Sequence, residues 1–136
     1  MSKKPVTNLI NTTGKRKQAI AHATLRAGKG TVRVNHILLQ HYGTAMQRAK
    51  IMEPVHIAGD ISTLALDVRV KGGGAVGQAD AARLAIARAL LANNSKLEEP
   101  FLDYDRTLLV ADVRFKEASK PNKHGHARSA TQKSYR

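Results

Sequence analysis

The alternation of apolar and polar positions is clearest in the middle of the chain. Leu64, Leu66, Val68 and Val70 alternate with Ala65, Asp67, Arg69 and Lys71. One face is apolar and the other charged, which predicts a half-buried strand. Three glycines follow, and then the period changes. In AVGQADAARLAIARALLAN, Val76, Ala79, Ile86, Leu90 and neighbouring alanines fall on one face of a 3.6-residue repeat, a helix ended by Asn93-Asn94. Leu109, Ala111, Val113 and Phe115 alternate again and predict a last strand. A strand, a helix and a strand over 64–115 favour a parallel pair with the helix on the sheet, and right-handed is the default hand of such a crossover.

Upstream the pattern is weaker. Residues 1–14 are polar and carry Pro5, Asn8, Asn11 and Gly14, which reads as an irregular arm. Weak alternation from Lys17 to Arg26 predicts a strand, Gly28-Lys29-Gly30 a turn, and Thr31 to Val34 a second strand, together a hairpin. Asn35 is a candidate cap for a short helix through about Tyr42, ended by Gly43. Thr44 is a candidate cap for another from Ala45 to about Met52, stopped before Pro54. Residues 95–101 fit no single template, and after Phe115 the periodicity ceases. The sum is a small α/β domain over 15–115, with about four strands, one dominant helix and lesser helices. An N-terminal arm, 1–14, and a basic C-terminal tail, 116–136, flank it.

Composition narrows the chemistry. The 136 residues are 42% apolar, enough for one core, but only 4% aromatic, so that core must be built from Val, Ile, Leu and Ala. The lack of cysteine excludes disulfides, thiolate zinc sites and cysteine catalysis. No apolar run approaches the roughly 18 residues of a membrane span, and MSKKPVTNLINTTGK lacks the apolar centre of a secretory signal. The net charge of +13 is unevenly spread. Residues 1–17 hold five basic groups and no acid, and residues 113–136 hold seven against the single Glu117. The body between them has eleven basic and nine acidic groups. Solubilising charge would be interspersed in sign, whereas one-signed ends on a balanced body mark a polyanion binder.

Gly72-Gly73-Gly74-Ala75-Val76-Gly77 contains a GxGxxG, after a strand and opening a helix. Glycines let a backbone approach phosphate, and a helix N-terminus offers unpaired N–H groups, so the motif implies phosphate affinity without saying whose. A dinucleotide reading would use Glu98 or Glu99 for a ribose, but neither clearly ends a second strand, and little of a mononucleotide-binding half surrounds the motif. A tight turn with close helix packing is the plainer reading, and RNA phosphate becomes competitive beside the charged ends. Arg83 falls within the helix's apolar stripe, where pairing with Asp67 or Asp112 is preferred over an outward phosphate contact. His124-Gly125-His126 presents two imidazoles with no third ligand amid positive charge, so no metal site is expected. Asp103 and Asp105 read as turn residues. No arrangement argues for catalysis or a cofactor.

The tail alternates Lys and Arg with small and polar residues and ends Lys133-Ser134-Tyr135-Arg136. Such a segment can thread between RNA helices and neutralise phosphates without a fold of its own. GKRKQAIAHA at 14–23, GTVRVN at 30–35, VKGGGAVGQADAARLAIARAL at 70–90, DYDRTLLVADVR at 103–114 and ARSATQKSYR at 127–136 together resemble the universal family of small-subunit ribosomal protein number nine, in its archaeal and eukaryotic form. The resemblance implies a two-layer fold, helices on one side of a four-stranded sheet, with a left-handed βαβ crossover in place of the default hand. It implies a non-enzymatic protein of the cytoplasmic ribosome, in the head of the small subunit, on ribosomal RNA and beside neighbouring ribosomal proteins. It places rRNA contacts in the 14–17 region and the tail, here Lys15, Arg16, Lys17, Lys120, Lys123, His124, His126, Arg128 and Gln132, and the phosphate affinity of the glycine turn adds Gly72, Gly73, Gly74 and Gln78 as expected contacts. Lys133, Ser134, Tyr135 and Arg136 correspond to the end that reaches peptidyl-site tRNA. The family usually has a dense basic run after the last strand, whereas here Glu117 precedes Ala118-Ser119-Lys120, which puts the contacts of 118–126 in doubt. A free nucleic-acid chaperone and a nucleotide-cofactor enzyme are the alternatives to test.

Overall fold

The computed structural model describes residues 9–122 and 127–128. Five strands form one sheet: β1 (Ile10–Arg16), β2 (Ala19–Ala27), β3 (Val32–Val34), β4 (Ile37–Leu38) and β5 (Leu64–Lys71), in the order β1-β2-β5-β3-β4. Three α-helices accompany it, α1 (Ala45–Ala58), α2 (Ala75–Asn93) and α3 (Glu98–Tyr104). The expected α/β class holds, but the sheet has five strands, not four, because the two-residue β4 extends it beyond β3.

The strand and helix with the strongest periodicity, 64–71 and 75–93, appear as β5 and α2. Alternation sets which side of the sheet is dry. Ala19, Ala21, Ala23 and Leu25 of β2 are buried together with Leu64, Leu66, Val68 and Val70 of β5. α2 lies on this face against β1, β2 and β5, with α1 packed beside it. The interface is lined by small residues, Ala79, Ala81, Ala82, Ala85 and Ala89 on the helix and three alanines on β2. Gly14 marks the closest approach: a Cβ there would lie 2.3 Å from the Ala81 carbonyl oxygen and 2.7 Å from the Ala85 nitrogen. Thr12 Oγ1 donates to the Ala85 carbonyl at 2.8 Å, fastening β1 to the same turn of α2. Phe101, fully buried, closes the far end of a core that is otherwise aliphatic.

Among the described residues, the other face of the sheet carries no helix. In register across it stand Lys15, Ile20 and Lys71, then Thr13, His22 and Arg69, then Asn11, Thr24, Asp67 and Arg33. All are exposed except the partly exposed Thr24 and Asp67.

Several local expectations are corrected. Residues 10–14, assigned to an irregular arm, form most of β1, which makes a two-residue hairpin with β2 through Lys17-Gln18. Lys17 takes a positive φ of 54° there. β2 and β3 follow one another but are not neighbours, since β5 lies between them, and the Gly28–Gly30 turn is stitched to β5 by Gly28 N–H to the Thr63 carbonyl and Gly30 N–H to the Leu64 carbonyl. The helix expected after Asn35 is a turn instead, because Asn35 and His36 both adopt positive φ, as a tight hairpin requires. The Asn35 side chain extends the ladder past β3, accepting from Val70 N at 2.9 Å. Thr44 does cap α1, in a reciprocal capping box with Gln47. The helix nevertheless runs through Pro54 to Ala58, because burial of Ile51, Pro54 and Val55 on its inner side offsets the lost hydrogen bond and the crowding of the proline ring. Gly59, at φ 82°, ends it.

The expected last strand over 109–115 does not form, and with it goes the expected parallel pair across 64–115. The parallel pair is β3 with β5, joined through α1. Residues 109–115 instead run past the β1 edge, held by side chains. The Arg88 guanidinium donates to the Thr13 carbonyl of β1 at 2.9 Å and to the Leu109 carbonyl at 3.2 Å, so it links the two backbones where ladder bonds would otherwise run.

Replacing Gly14 with alanine should destabilise the protein by about 1–3 kcal/mol through overpacking, because the added methyl meets helix backbone that cannot turn aside. Thermal unfolding checks this, and an unchanged midpoint would show that α2 is not held close at this point.

Candidate nucleic-acid interface

A cleft opens where three segments meet at one end of the sheet: the β1–β2 turn at Arg16–Gln18, the glycine-rich entry to α2 at 73–77, and residues 114–116. The glycines divide the work. Gly72 and Gly73 have φ of 78° and 65°, and Cβ atoms on them would lie 2.6 Å from the Gln18 carbonyl oxygen and 2.9 Å from the Ala19 nitrogen. They are needed so that this turn can close on the neighbouring hairpin. Gln78 Nε2 donates to the Gly72 carbonyl at 3.1 Å and fixes the turn from behind.

Gly74 is different. It is the N-cap of α2, makes no side-chain cap, and has open space where a Cβ would stand. The first turn of α2 contains no acidic residue. The first N–H groups of a helix lack intrahelical acceptors and carry partial positive charge. Lys17, Arg114 and Lys116 surround this end, and no acidic side chain lines the cleft among the described residues. Val76 and Phe115 are both exposed here, adding an aliphatic surface and an aromatic ring. Amide donors, mobile cations and one ring suit a phosphate with an adjacent base or sugar.

Salt bridges hold the third wall. Asp112 Oδ2 lies 2.7 Å from Arg16 Nη1, and the Arg114 side chain binds the same carboxylate in a fork, with Nε 3.0 and 3.1 Å from its two oxygens and Nη2 2.7 Å from Oδ2. The Arg16 contact is an ion pair without hydrogen-bond geometry. Arg16 also lies 3.8 Å from Asp80, which takes Lys50 at 3.1 Å. Hydrogen bonds from the Arg114 side chain and backbone, reinforced by the charges of Arg114 and Arg16, hold the Asp112 carboxyl well below the usual carboxylate range. Arg83 pairs with Glu53 at 2.6 Å and Asp105 at 3.1 Å. It is therefore a pairing residue, as expected, but its partners come from α1 and the loop after α3 rather than from Asp67 or Asp112. Asp105 caps the short turn after α3 by accepting from Thr107 N at 2.9 Å.

The expected contacts thus separate. Lys17, Gly73 and Gly74 reach the cleft, while Lys15 projects from the open face of the sheet. Arg16, Gln78 and Gly72 are engaged in holding the walls. Lys120 and Arg128 both lie on Glu117, at 3.4 and 2.9 Å. Lys123, His124, His126, Gln132, Lys133, Ser134, Tyr135 and Arg136 lie outside the described residues. Arg114, Phe115 and Lys116 were missed as cleft residues, because the first two read as the end of a strand and Lys116 as the start of the basic tail. Glu98 and Glu99 open α3, beyond the opposite end of a 19-residue helix of about 28 Å, so neither can meet a ribose at Gly74.

Comparison with known proteins gives a consistent match. A family model described as ribosomal protein S9/S16 matches residues 14–136. The small ribosomal subunit protein uS9 of Thermoplasma acidophilum is 50% identical over 128 residues, covering 92% of this chain and 98% of its own length. That of Methanothrix thermoacetophila is 47% identical over 131 residues, covering 94% and 98%. The protein of the same name from Methanococcus vannielii is 46% identical over 132 residues, covering 94% and 98%.

The depressed Asp112 value fixes the sign of a pH effect. A carboxyl whose folded value is lower than its unfolded one stabilises fully above the unfolded value, loses that effect progressively as pH falls between the two, and has lost it below the folded one. The Arg114 tie should therefore survive acidification through about pH 4, the ordinary range for aspartate, and fail only below it. At neutral pH, Asp112→Asn should speed tryptic cleavage after Arg114 and Lys116, and equal cleavage rates would remove Asp112 as the clasp.

Proposed function

We infer the function from one premise: this chain belongs to the ribosomal protein S9/S16 family. It is a structural, non-enzymatic protein of the small ribosomal subunit. Its domain docks on rRNA of the subunit head through the cleft, with phosphate at the open N-terminus of α2 and Lys17 and Lys116 closing on it. The observation that carries this reading is Gly74, a cap with neither side chain nor neighbour, at a helix start without acids and ringed by cations.

The basic tail, 116–136, follows rRNA away from the domain toward the peptidyl site. There Arg136, with Lys133, Ser134 and Tyr135 beside it, meets the anticodon-stem backbone of tRNA. A phosphate contact carries no base identity, so tRNA of every kind is held alike. The crossover from β3 through α1 to β5 is the one that the family resemblance makes left-handed. Work in the cytoplasm, beside neighbouring ribosomal proteins, follows from the same reading.

Two measurements test it. Binding of the full chain to head-domain rRNA should exceed binding to an unrelated duplex. Lys17→Gln with Lys116→Gln should weaken the former and reduce its salt slope by about one unit per lost phosphate contact. Equal binding to both RNAs, collapsing with salt, would leave only a generic basic protein. Separately, ribosomes carrying a chain without Arg136 should assemble but hold peptidyl-site tRNA several-fold more weakly, on the order of 1 kcal/mol for one exposed contact. Unchanged tRNA affinity would remove Arg136 from that role.

A further inference from the structure

The open face of the sheet is not explained by the cleft. Five cations stand on it, Lys15, Arg26, Arg33, Arg69 and Lys71, against the single acid Asp67. Asp67 is already paired with Arg26 at 2.8 Å. Among the described residues, Arg33, Arg69 and Lys71 have no carboxylate partner. The contrast with the rest of the body matters, since residues 18–112 hold eleven basic and nine acidic groups. Glu53, Asp80, Asp105 and Asp112 are consumed in ion pairs on the helix side, Glu98, Glu99 and Asp103 belong to α3, and Asp60 sits in the loop between α1 and β5, where it accepts from Ser62 N. The near-neutral body is thus divided into a mixed helical side and a cationic sheet side. An ordinary solvated sheet face is polar with mixed signs.

We propose that this face is a second RNA surface, which holds the sugar–phosphate backbone of an A-form duplex without reading its sequence. This rests on the reading of the protein as one that works on RNA. Adjacent strands lie about 4.8 Å apart and alternate residues about 6.7 Å apart, so the cations stand in rows around a shallow groove lined by His22, Arg33, Arg69 and Lys71, at spacings comparable to those of successive phosphates. Thr13, His22 and Asn11 stand between them as hydrogen-bonding groups for phosphate or 2′-hydroxyl oxygens. Among the described residues the face carries no Phe, Tyr or Trp, so its rings are limited to imidazoles, which donate hydrogen bonds as readily as they stack, unlike Phe115 at the cleft. Ile20 is its only large apolar side chain exposed, so it lacks the buried anchors of a protein interface. With the cleft at one end and this face on one side, a small domain can bridge two RNA segments.

The absence of cysteine allows a direct test. His22→Cys on the open face and Val76→Cys at the cleft each accept a tethered iron chelate for hydroxyl-radical cleavage, in the full chain assembled into small subunits. Cleavage of paired rRNA from position 22, at nucleotides distinct from those cut from position 76, is the expected result. A variant with Arg33, Arg69 and Lys71 all changed to Gln should lose protection of the first set, retain the second, and show a salt slope shallower by about two to three units. Cuts from position 76 alone, or cross-linking of position 22 to a neighbouring protein, would overturn the proposal. Cuts from position 22 alone would instead remove the cleft and leave this face standing.

Discussion

The close approach of α2 to the sheet is the constraint on which the remaining structure depends. Side chains no larger than a methyl line most of that contact on both partners, and at Gly14 there is no room even for one. Small side chains cost little entropy on burial but also remove little apolar area, so the stabilisation comes from the number of close contacts rather than from any large residue. The consequence is positional. With α2 pinned against β1 and β2, its N-terminus must emerge beside the β1–β2 turn. The chain reaches that point from β5 through Gly72 and Gly73, whose positive φ and missing side chains let it pass over Gln18 and Ala19. Packing of the core and placement of an uncapped helix end beside the β1–β2 turn are one arrangement.

Charge is organised by the same scaffold. Ion pairs on the helix side tie β1, α1, α2 and the 105–114 segment together: Arg16 to Asp112 and Asp80, Arg83 to Glu53 and Asp105, Arg114 to Asp112. Each is partly solvated, so none need contribute much individually. Their collective effect is to occupy carboxylates. A protein that must meet a polyanion gains by keeping its acids engaged internally, because an unpaired carboxylate at the interface would repel phosphate. Asp112 illustrates this, since it anchors the segment that brings Phe115 and Lys116 to the cleft while two arginines neutralise it.

The parts of the fold legible in the sequence were those whose own pattern decides them. β5 is apolar on alternate positions for its whole length, and α2 is an apolar run between glycines and asparagines, although it is buried on nearly every side from Ala79 to Leu90 rather than along one stripe, and Val76, expected on that stripe, is exposed. The parts that were not legible depend on partners elsewhere. β1 has a mixed burial pattern because one of its inward positions is glycine and another is an arginine in an ion pair, so Ile10–Arg16 looks like an arm. Residues 109–115 show the reverse: alternation without a strand, since Arg88 and Arg16 hold the segment by side chains. Pro54 ended a helix on paper that buried residues carry through. In the cleft, the glycine motif and Lys17 were readable, but Arg114, Phe115 and Lys116 arrive from the far end of the domain and have no local signature.

The glycine motif itself shows why spacing alone could not identify its ligand. A backbone that bends away from a neighbouring hairpin and a backbone that cradles phosphate both require residues without Cβ, so the same sequence serves either purpose. In this fold the first purpose accounts for two of the glycines and leaves the third unexplained. Gly72 and Gly73 satisfy the hairpin, and their conformations are explained without any ligand. Gly74 has no such obligation: its φ of −98° is open to any residue, and nothing stands where a side chain would. A serine or aspartate there would cap the helix better than glycine, yet its oxygen would occupy the very N–H groups that an incoming anion needs. The absent cap therefore leaves the end of α2 open to a partner, and the cations around it favour phosphate.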